Sequence, residues 1–241
     1  GLNAPLMTAT AWGGACTGGL LPVMGGYCDA PWAREIEKLP PNVNYVFTPE
    51  RNDANIGSDF GKKETAGKKE EFPYLMAELG GGLQPTKHRR PVAYAAAIGA
   101  MSLVKLGCGA NLLGYYMYHG GSNPEGRNTT LQETKKTGSW NELPAYNYDF
   151  QAPVGEYGQV RESCREIKLL SMFLHDFGSG LCTMKPEFPS PVMDNAGNLE
   201  TLRTCVRHNG ERGYLFVNNY QRLYPMKEHR NAVLHVKTST N

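Results

Sequence analysis

The feature that most constrains the fold is a strand–helix–strand succession in the middle of the chain. The apolar run FPYLMAEL, residues 72–79, ends in three glycines. The alanine-rich stretch VAYAAAIGAMSLVKLG, residues 92–107, predicts a helix that ends at Gly107. CGANLLGYYMYHGGSN, residues 108–123, follows directly and predicts a buried strand that runs into a turn. This order is typical of a parallel βαβ unit.

The same alternation recurs on both sides of this unit. Ala4–Trp12 predicts a strand, and PWAREIEKL, residues 31–39, predicts a helix with proline in its first turn. Residues 159–178 carry apolar side chains at helical spacing and predict a helix that ends at Gly178. Loops after strands are long and loops after helices are short, as in a TIM barrel, whose chemistry lies at the C-terminal strand ends. Three βα units cannot close that barrel, so the sequence predicts an α/β fold consisting of a partial TIM (β/α)8 barrel.

The sequence pattern after residue 180 no longer alternates between strands and long helices. Prolines mark a linker, and the short alternating segments TLRTCVRHNG and RGYLFVNNYQR follow. Asn209-Gly210 predicts a hairpin turn between antiparallel strands. We therefore predict that residues 1–180 are the C-terminal portion of the barrel. Residues 181–241 are predicted to be a linker and the β-rich segment of a following domain.

Composition and charge exclude several classes of function. The net charge is +2, and the one basic cluster, residues 61–71, alternates in sign, which argues for a solvated loop and against a nucleic-acid partner. The longest apolar run is shorter than the roughly 20 residues that a bilayer requires. The cysteines include no CxxC pair and the histidines no ligand spacing, so we expect no metal. Cys182 and Cys205 pair if the protein is exported, and otherwise all six thiols remain reduced; the sequence does not decide between cytoplasm and secretion.

Glu78 is the candidate functional residue. It lies in AELGGG, at the end of an apolar run where a charged group is costly unless it is paired or functional. In a barrel, Glu78, Trp12 and Tyr116–His119 would all lie near C-terminal strand ends. A carboxylate among aromatic rings is typical of carbohydrate enzymes. The structural alternative is a salt bridge from Glu78 to Arg89 or Arg90.

Three segments resemble glycoside hydrolase family 35, the family of β-galactosidases. AELGGGLQ resembles the strand that carries the family nucleophile. GYYMYHGGSN resembles the Y-M-x-x-G-G-T-N strand, with Ser122 in place of threonine. AYNYDFQAPVGEYG resembles the S-Y-D-Y-x-A-P-x-x-E-x-G segment, with Phe150 and Gln151 as an apparent insertion. The resemblance spans roughly Pro5 to Gly178, and the motifs occur in family order.

The resemblance implies a retaining exo-β-galactosidase with a β-galactoside as its substrate and no cofactor. Glu78 would be the catalytic nucleophile, and Tyr116, Tyr146 and Tyr148 would line the sugar site. Asp149 and Glu156 match acidic positions of the family segment, and His119 is expected to be structural.

One part of the family pattern is absent. The acid/base of the family lies in an N-E-Y motif on an earlier strand, and this sequence contains no N-E-Y. Because the chain begins without methionine in an apparent strand, we expect it to be a fragment whose partner is the missing N-terminal part of the barrel. We expect the chain alone to be inactive, and its open strand edges to allow self-association.

Three alternatives remain at the level of sequence. A related exo-β-glycosidase, such as a glucosaminidase, would share these motifs. A non-catalytic carbohydrate-binding or interaction fragment would need no acid/base. In a third alternative, the β segment from Thr183 onwards is a docking surface for a partner.

Overall fold

The computed structural model describes residues 3–8, 20–51, 72–128 and 131–236. Within these ranges the chain forms two α-helices and ten strands, most of them short. A parallel sheet carries the candidate site on its C-terminal edge, and an antiparallel sheet packs behind the helices. Trp12 and the charged segment 61–71 lie outside the described residues.

The parallel strands form two sheets, a two-stranded pair and a three-stranded sheet whose strands pair in chain order. β1 (Met7–Thr8) pairs in parallel with β2 (Leu21–Pro22), which one residue separates from β3 (Met24–Gly26). β3 pairs in parallel with β4 (Tyr74–Leu79), and β4 with β5 (Ala110–Tyr115). The predicted α/β class with parallel strands is thereby confirmed. Of the strand predicted over residues 4–12, Met7–Thr8 form β1, residues 4–6 are not strand, and residues 9–12 lie outside the described residues.

The two helices form where the local sequence favours them. α1 (Ala95–Gly107) is alanine-rich and ends at the predicted glycine. α2 (Glu162–Leu181) is amphipathic and continues three residues beyond Gly178, because the Gly178 carbonyl still accepts a helical hydrogen bond from the Cys182 amide. The two helices pack against each other. No helix in the described ranges is long and apolar enough to cross a bilayer.

The helix predicted over residues 31–39 is wrong. This segment forms turns and irregular loop instead. The carbonyl oxygens of Glu35 and Glu37 accept hydrogen bonds from Arg89 Nη1 at 3.1 and 2.8 Å. A distant guanidinium therefore satisfies backbone groups that a helix would otherwise pair internally.

The antiparallel sheet is formed by the C-terminal part of the chain. β9 (Arg203–His208) lies between β8 (Lys185–Glu187) and β10 (Gly213–Asn218). The predicted antiparallel hairpin at Asn209-Gly210 is confirmed, with Gly210 at φ +95°, a conformation that glycine adopts without strain. β6 (Gly121–Ser122) and β7 (Asn147–Tyr148) form a small separate hairpin-like pair, which lies beyond β5.

One hydrophobic core spans both predicted domains. It joins residues of β4 and α1, such as Met76 and Met101, to Cys205 and Phe216 of the antiparallel sheet. Arg207 is 1% exposed and donates to four backbone carbonyls, among them those of Leu106 and Leu181 at the helix C-termini. A positive charge there complements both helix dipoles. The division at residue 180 stays a prediction, but the two sides are packed as one body here.

Two further expectations concern the C-terminal part of the chain. Cys182 and Cys205 are both free thiols, one exposed and the other buried, so the alternative in which they pair is not formed. The aromatic residues of the β segment pack inward rather than forming an open docking face. Phe216 is in the core, Tyr214 and Tyr220 lie against it, and the Tyr224 hydroxyl donates to the Leu39 carbonyl.

Candidate active site

Glu78 lies one residue before the end of β4, with its carboxylate half-buried. The hydroxyl of Tyr27, directly after β3, donates a hydrogen bond to Glu78 Oε1. Burial raises the pKa of Glu78, and the Tyr27 hydrogen bond lowers it in part. The net result is a carboxyl whose pKa lies above its ordinary value. The protonation state of Glu78 is therefore sensitive to the hydrogen bond from Tyr27.

Each of the three glycines after this strand accommodates a different neighbour. A Cβ at any of them would come closer than 3.0 Å to an existing atom, a separation that real Cβ atoms essentially never show. The neighbours are the ring of Tyr27 for Gly80, the carbonyl oxygen of Met117 for Gly81, and the carbonyl oxygen of Phe150 for Gly82. The glycines therefore let three loops converge on the end of β4. Because these glycines have no side chains, they add little bulk beside Glu78.

Two of the predicted tyrosines lie beside Glu78. Tyr116 follows β5, and Tyr148 belongs to β7. Their hydroxyl groups are hydrogen-bonded to each other, and their rings meet edge to face with centroids 6.4 Å apart. Burial and the negative charge of Glu78 raise the pKa of Tyr148, because both disfavour the phenolate. Glu78, Tyr116 and Tyr148 therefore form one cluster of polar groups.

The third predicted tyrosine is placed differently. Tyr146 is 54% exposed, and its carbonyl oxygen accepts a hydrogen bond from the Asn123 amide. It lies in the bend directly before β7, outside the strand that carries Tyr148. The structure therefore puts Tyr146 at the surface rather than among the hydroxyl groups around Glu78.

The salt-bridge alternative for Glu78 is not realised. Arg89 Nη2 pairs instead with Asp29 Oδ1 at 2.8 Å, and Arg222 Nη2 pairs with Asp29 Oδ2 at 2.9 Å. All three groups are buried. Burial would raise the pKa of Asp29, but the two guanidinium groups outweigh burial and hold it below its ordinary value. Arg90 is exposed. Among the described residues, the hydrogen-bond partner of Glu78 is therefore the Tyr27 hydroxyl and not Arg89 or Arg90.

The apparent insertion of Phe150 and Gln151 shapes the wall of the site. Both residues have positive φ, 49° and 57°. The Phe150 carbonyl accepts the Leu83 amide at 2.6 Å. Gln151 Nε2 donates to the Leu83 carbonyl at 3.0 Å, and its Oε1 accepts the Ala93 amide at 2.9 Å. This side chain ties the loop after β4 to the start of α1.

The other acidic residues of the aromatic loop have structural partners. Asp149 Oδ2 pairs with Arg161 Nη2 at 2.7 Å. The Glu156 carboxylate accepts hydrogen bonds from the Ser122 hydroxyl and the Asn147 amide group. Asn147 precedes Tyr148 in an extended strand, so the two side chains point to opposite sides. Glu156 is therefore separated from Glu78 by β7. His119 Nδ1 meets the Gly120 carbonyl, a local backbone contact.

Tyr27 is the site residue that the sequence reasoning missed. It directly follows β3, at the same edge of the sheet as Glu78, and is buried with Trp32 packed edge to face at 5.1 Å. The signal in the sequence was its place just after the apolar run LLPVMGG. No cluster of residues that could hold a metal ion occurs in the described part of the chain.

Comparison with protein-family models and with curated proteins found no match to this chain.

Proposed function

We propose that this chain supplies the nucleophile of a retaining exo-β-galactosidase, which removes terminal β-D-galactosyl residues from oligosaccharides or glycoconjugates. The observation that carries the proposal is the placement of Glu78. It is a half-buried carboxylate at the end of a parallel strand, with one oxygen bound by Tyr27 and two phenols beside it. The motif resemblance supplies the reaction class.

The chemistry follows from this placement. The Glu78 carboxylate attacks the anomeric carbon, and a glycosyl-enzyme ester forms as the glycosidic bond breaks. The Tyr27 hydrogen bond orients Oε1 and favours the ionised form that attack requires. In this proposal the hydroxyl groups of Tyr116 and Tyr148 bind sugar hydroxyls. Tyr146, which is at the surface, contacts the sugar at the rim. No cofactor takes part.

A second carboxyl group is needed to protonate the leaving group. In retaining enzymes the two carboxyl groups lie about 5–5.5 Å apart. Among the described residues, Glu156 and Asp149 are engaged elsewhere, and burial and Tyr27 alone account for the pKa of Glu78. From the motif resemblance alone, we propose that an earlier strand of the barrel supplies the acid/base. The chain alone is expected to hydrolyse nothing.

The arrangement of the strands supports a partial TIM barrel as the finer fold. In a doubly wound sheet the strand order reverses and helices cover both faces. Here β3, β4 and β5 pair in chain order without reversal, β1 and β2 form a separate parallel pair, and α1 packs against both β5 and α2. This one-directional order is the order of strands in a barrel. The free edges of β1 and β5 are where further strands, or a second copy, would pair.

The test is covalent trapping with a 2-deoxy-2-fluoro-galactoside, followed by intact mass and peptide mapping. We expect one added glycosyl group on the full-length parent protein, on the peptide that contains Glu78, and none on its Glu78→Gln variant. We expect no label on the isolated chain. Label on another carboxylate, or hydrolysis that survives Glu78→Gln, would refute the assignment. Binding of galactosides without any label or turnover would favour the non-catalytic alternative. Turnover of β-glucosaminides, without turnover of β-galactosides, would favour the related exo-β-glycosidase.

A further inference from the structure

The turn between β9 and β10 contains an asparagine followed by glycine. Asn209 and Gly210 are both exposed. Asparagine side-chain amides are among the thermolabile groups of proteins. Their usual reaction is attack on Cγ by the backbone nitrogen of the next residue, and glycine, which lacks a Cβ, hinders that attack least. What sets this turn apart is the set of groups around the reacting atoms.

A histidine contacts the nitrogen that would attack. Gly210 N donates a hydrogen bond to His208 Nδ1 at 3.2 Å. The other ring nitrogen, His208 Nε2, lies 2.7 Å from Glu187 Oε2 on the neighbouring strand β8. A carboxylate at Nε2 holds the proton there and leaves Nδ1 as the acceptor. The imidazole is therefore oriented as a general base toward the Gly210 amide.

Two backbone amides contact the oxygen on which charge would develop. Asn209 Oδ1 accepts hydrogen bonds from the amides of Glu211 at 3.2 Å and Arg212 at 3.0 Å. Donors aimed at a carbonyl oxygen polarise it and stabilise the oxyanion of a tetrahedral intermediate. The turn and its neighbouring strand thus provide every group that the reaction needs. The electrophile is the Asn209 side-chain amide carbon, and the nucleophile is the Gly210 nitrogen. His208 is the base, and Glu187 orients it.

We propose that this turn is a self-modification site, at which His208 promotes cyclisation of Asn209 onto Gly210. The Gly210 nitrogen forms a bond to Asn209 Cγ and transfers its proton to His208 Nδ1. The Cγ–Nδ2 bond then breaks, and His208 returns the proton to the departing nitrogen, which leaves as ammonia. Water then opens the resulting succinimide and leaves aspartate or isoaspartate at position 209. No oxidation or reduction occurs.

The charged groups around the imidazole come from β8 and from the turn. On β8, Glu187 contacts the ring and Lys185 lies opposite His208 in register. The turn itself contributes Glu211 and Arg212. On β10, the register partner of His208 is the uncharged Gly213. A new carboxylate at position 209 would therefore add negative charge beside Glu187 and Glu211.

The experiment compares the folded chain with a peptide of residues 206–212 at neutral pH. Mass spectrometry follows the loss of ammonia and the gain of aspartate, and enzymatic methylation detects isoaspartate. A fold usually slows this reaction, because it restricts the turn. We expect the folded chain instead to react at least about tenfold faster than the peptide. A folded rate equal to or below that of the peptide would overturn the proposal, which does not depend on the galactosidase assignment.

Substitutions test separately the base, His208, and the residue that orients it, Glu187. His208→Gln should bring the folded rate down to that of the peptide, with circular dichroism showing the fold intact. His175→Gln is the matched control, because His175 is also exposed and lies 3.1 Å from a carboxylate, that of Asp176. It should leave the rate unchanged. Glu187→Ala, at the positioning residue, should shift His208 away from the Nε2-protonated tautomer in 15N NMR and slow the reaction in parallel. A His208→Gln rate equal to that of the original chain would refute the role of the base.

Discussion

Replacing Tyr27 by phenylalanine removes one hydroxyl group and leaves the ring that fills the space beside Gly80. That hydroxyl donates to Glu78 Oε1 and lowers a pKa that burial raises. A hydrogen bond to a charged group contributes about 1.5–3 kcal/mol. Because Glu78 is half-exposed, solvent screening puts the effect at the low end of that range, about 1.5 kcal/mol. We therefore expect the pKa of Glu78 to rise in Tyr27→Phe.

The sign of the stability effect follows from linkage. A carboxyl with a raised pKa binds its proton more tightly in the folded state, so its contribution to stability is favourable at acid pH and is lost as the pH rises through the folded pKa. Tyr27→Phe raises that pKa further. The variant should therefore lose stability relative to the original chain at neutral pH, and less of it below the ordinary glutamate pKa. The assays are a 13C NMR titration of the Glu78 carboxyl carbon and urea unfolding at both pH values.

The control is Tyr45→Phe. Tyr45 is fully buried, and its hydroxyl donates to the Ala97 carbonyl at 3.1 Å, away from Glu78. This variant should lose stability and leave the Glu78 titration unchanged. A Glu78 pKa that stays constant or falls in Tyr27→Phe would refute the reasoning, since burial would then not be opposed by this hydroxyl.

Three further substitutions, the first with a matched control, test packing and buried polar contacts in the fold. Gly82→Ala places a Cβ against the Phe150 carbonyl and should lower the free energy of unfolding by more than about 2 kcal/mol in urea titrations, whereas Gly121→Ala, which meets no atom within 4 Å, should change it by less than about 1 kcal/mol. Arg207→Met leaves buried carbonyls without their donor and should cost about 3 kcal/mol in the same titrations. Asp29→Asn should cost about 3–5 kcal/mol at neutral pH, because two buried guanidinium groups lose their carboxylate. Since the pKa of Asp29 is lowered in the folded state, that difference should shrink as the pH falls through it.

Those parts of the fold that depend on local sequence were predictable. The alanine-rich α1 and the amphipathic α2 were placed to within a few residues, and Asn209-Gly210 marked its hairpin. The helix expected over residues 31–39 failed because a guanidinium 52 residues away in sequence binds its Glu37 carbonyl. A pattern within nine residues carries no information about such a partner.

As with the fold, those parts of the candidate site that depend on local sequence were predictable. Glu78 was identifiable because a charged residue ended an apolar strand, and Tyr116 because it followed the next strand. Tyr27 was not, because its contact with Glu78 depends on how β3 and β4 pair, and that register contains an irregularity between Met24 and Gly25. Tyr146 and Tyr148 are equivalent in the motif, but the structure separates them by exposure.

The contacts of the C-terminal part lead to a test of the predicted boundary at residue 180. Arg222 holds Asp29, which lies two residues after Tyr27, so the loop that orients Glu78 is fixed from beyond that boundary. Arg207 likewise binds the C-terminal carbonyls of both helices. Removing residues 182–241 would leave these groups unpaired and expose the core face that packs against Cys205 and Phe216. We therefore expect the chain truncated after Leu181 to lack a cooperative unfolding transition in calorimetry. A sharp transition in the truncated chain would mean that the barrel portion folds without the β segment, and that these arginines only attach the segment to it.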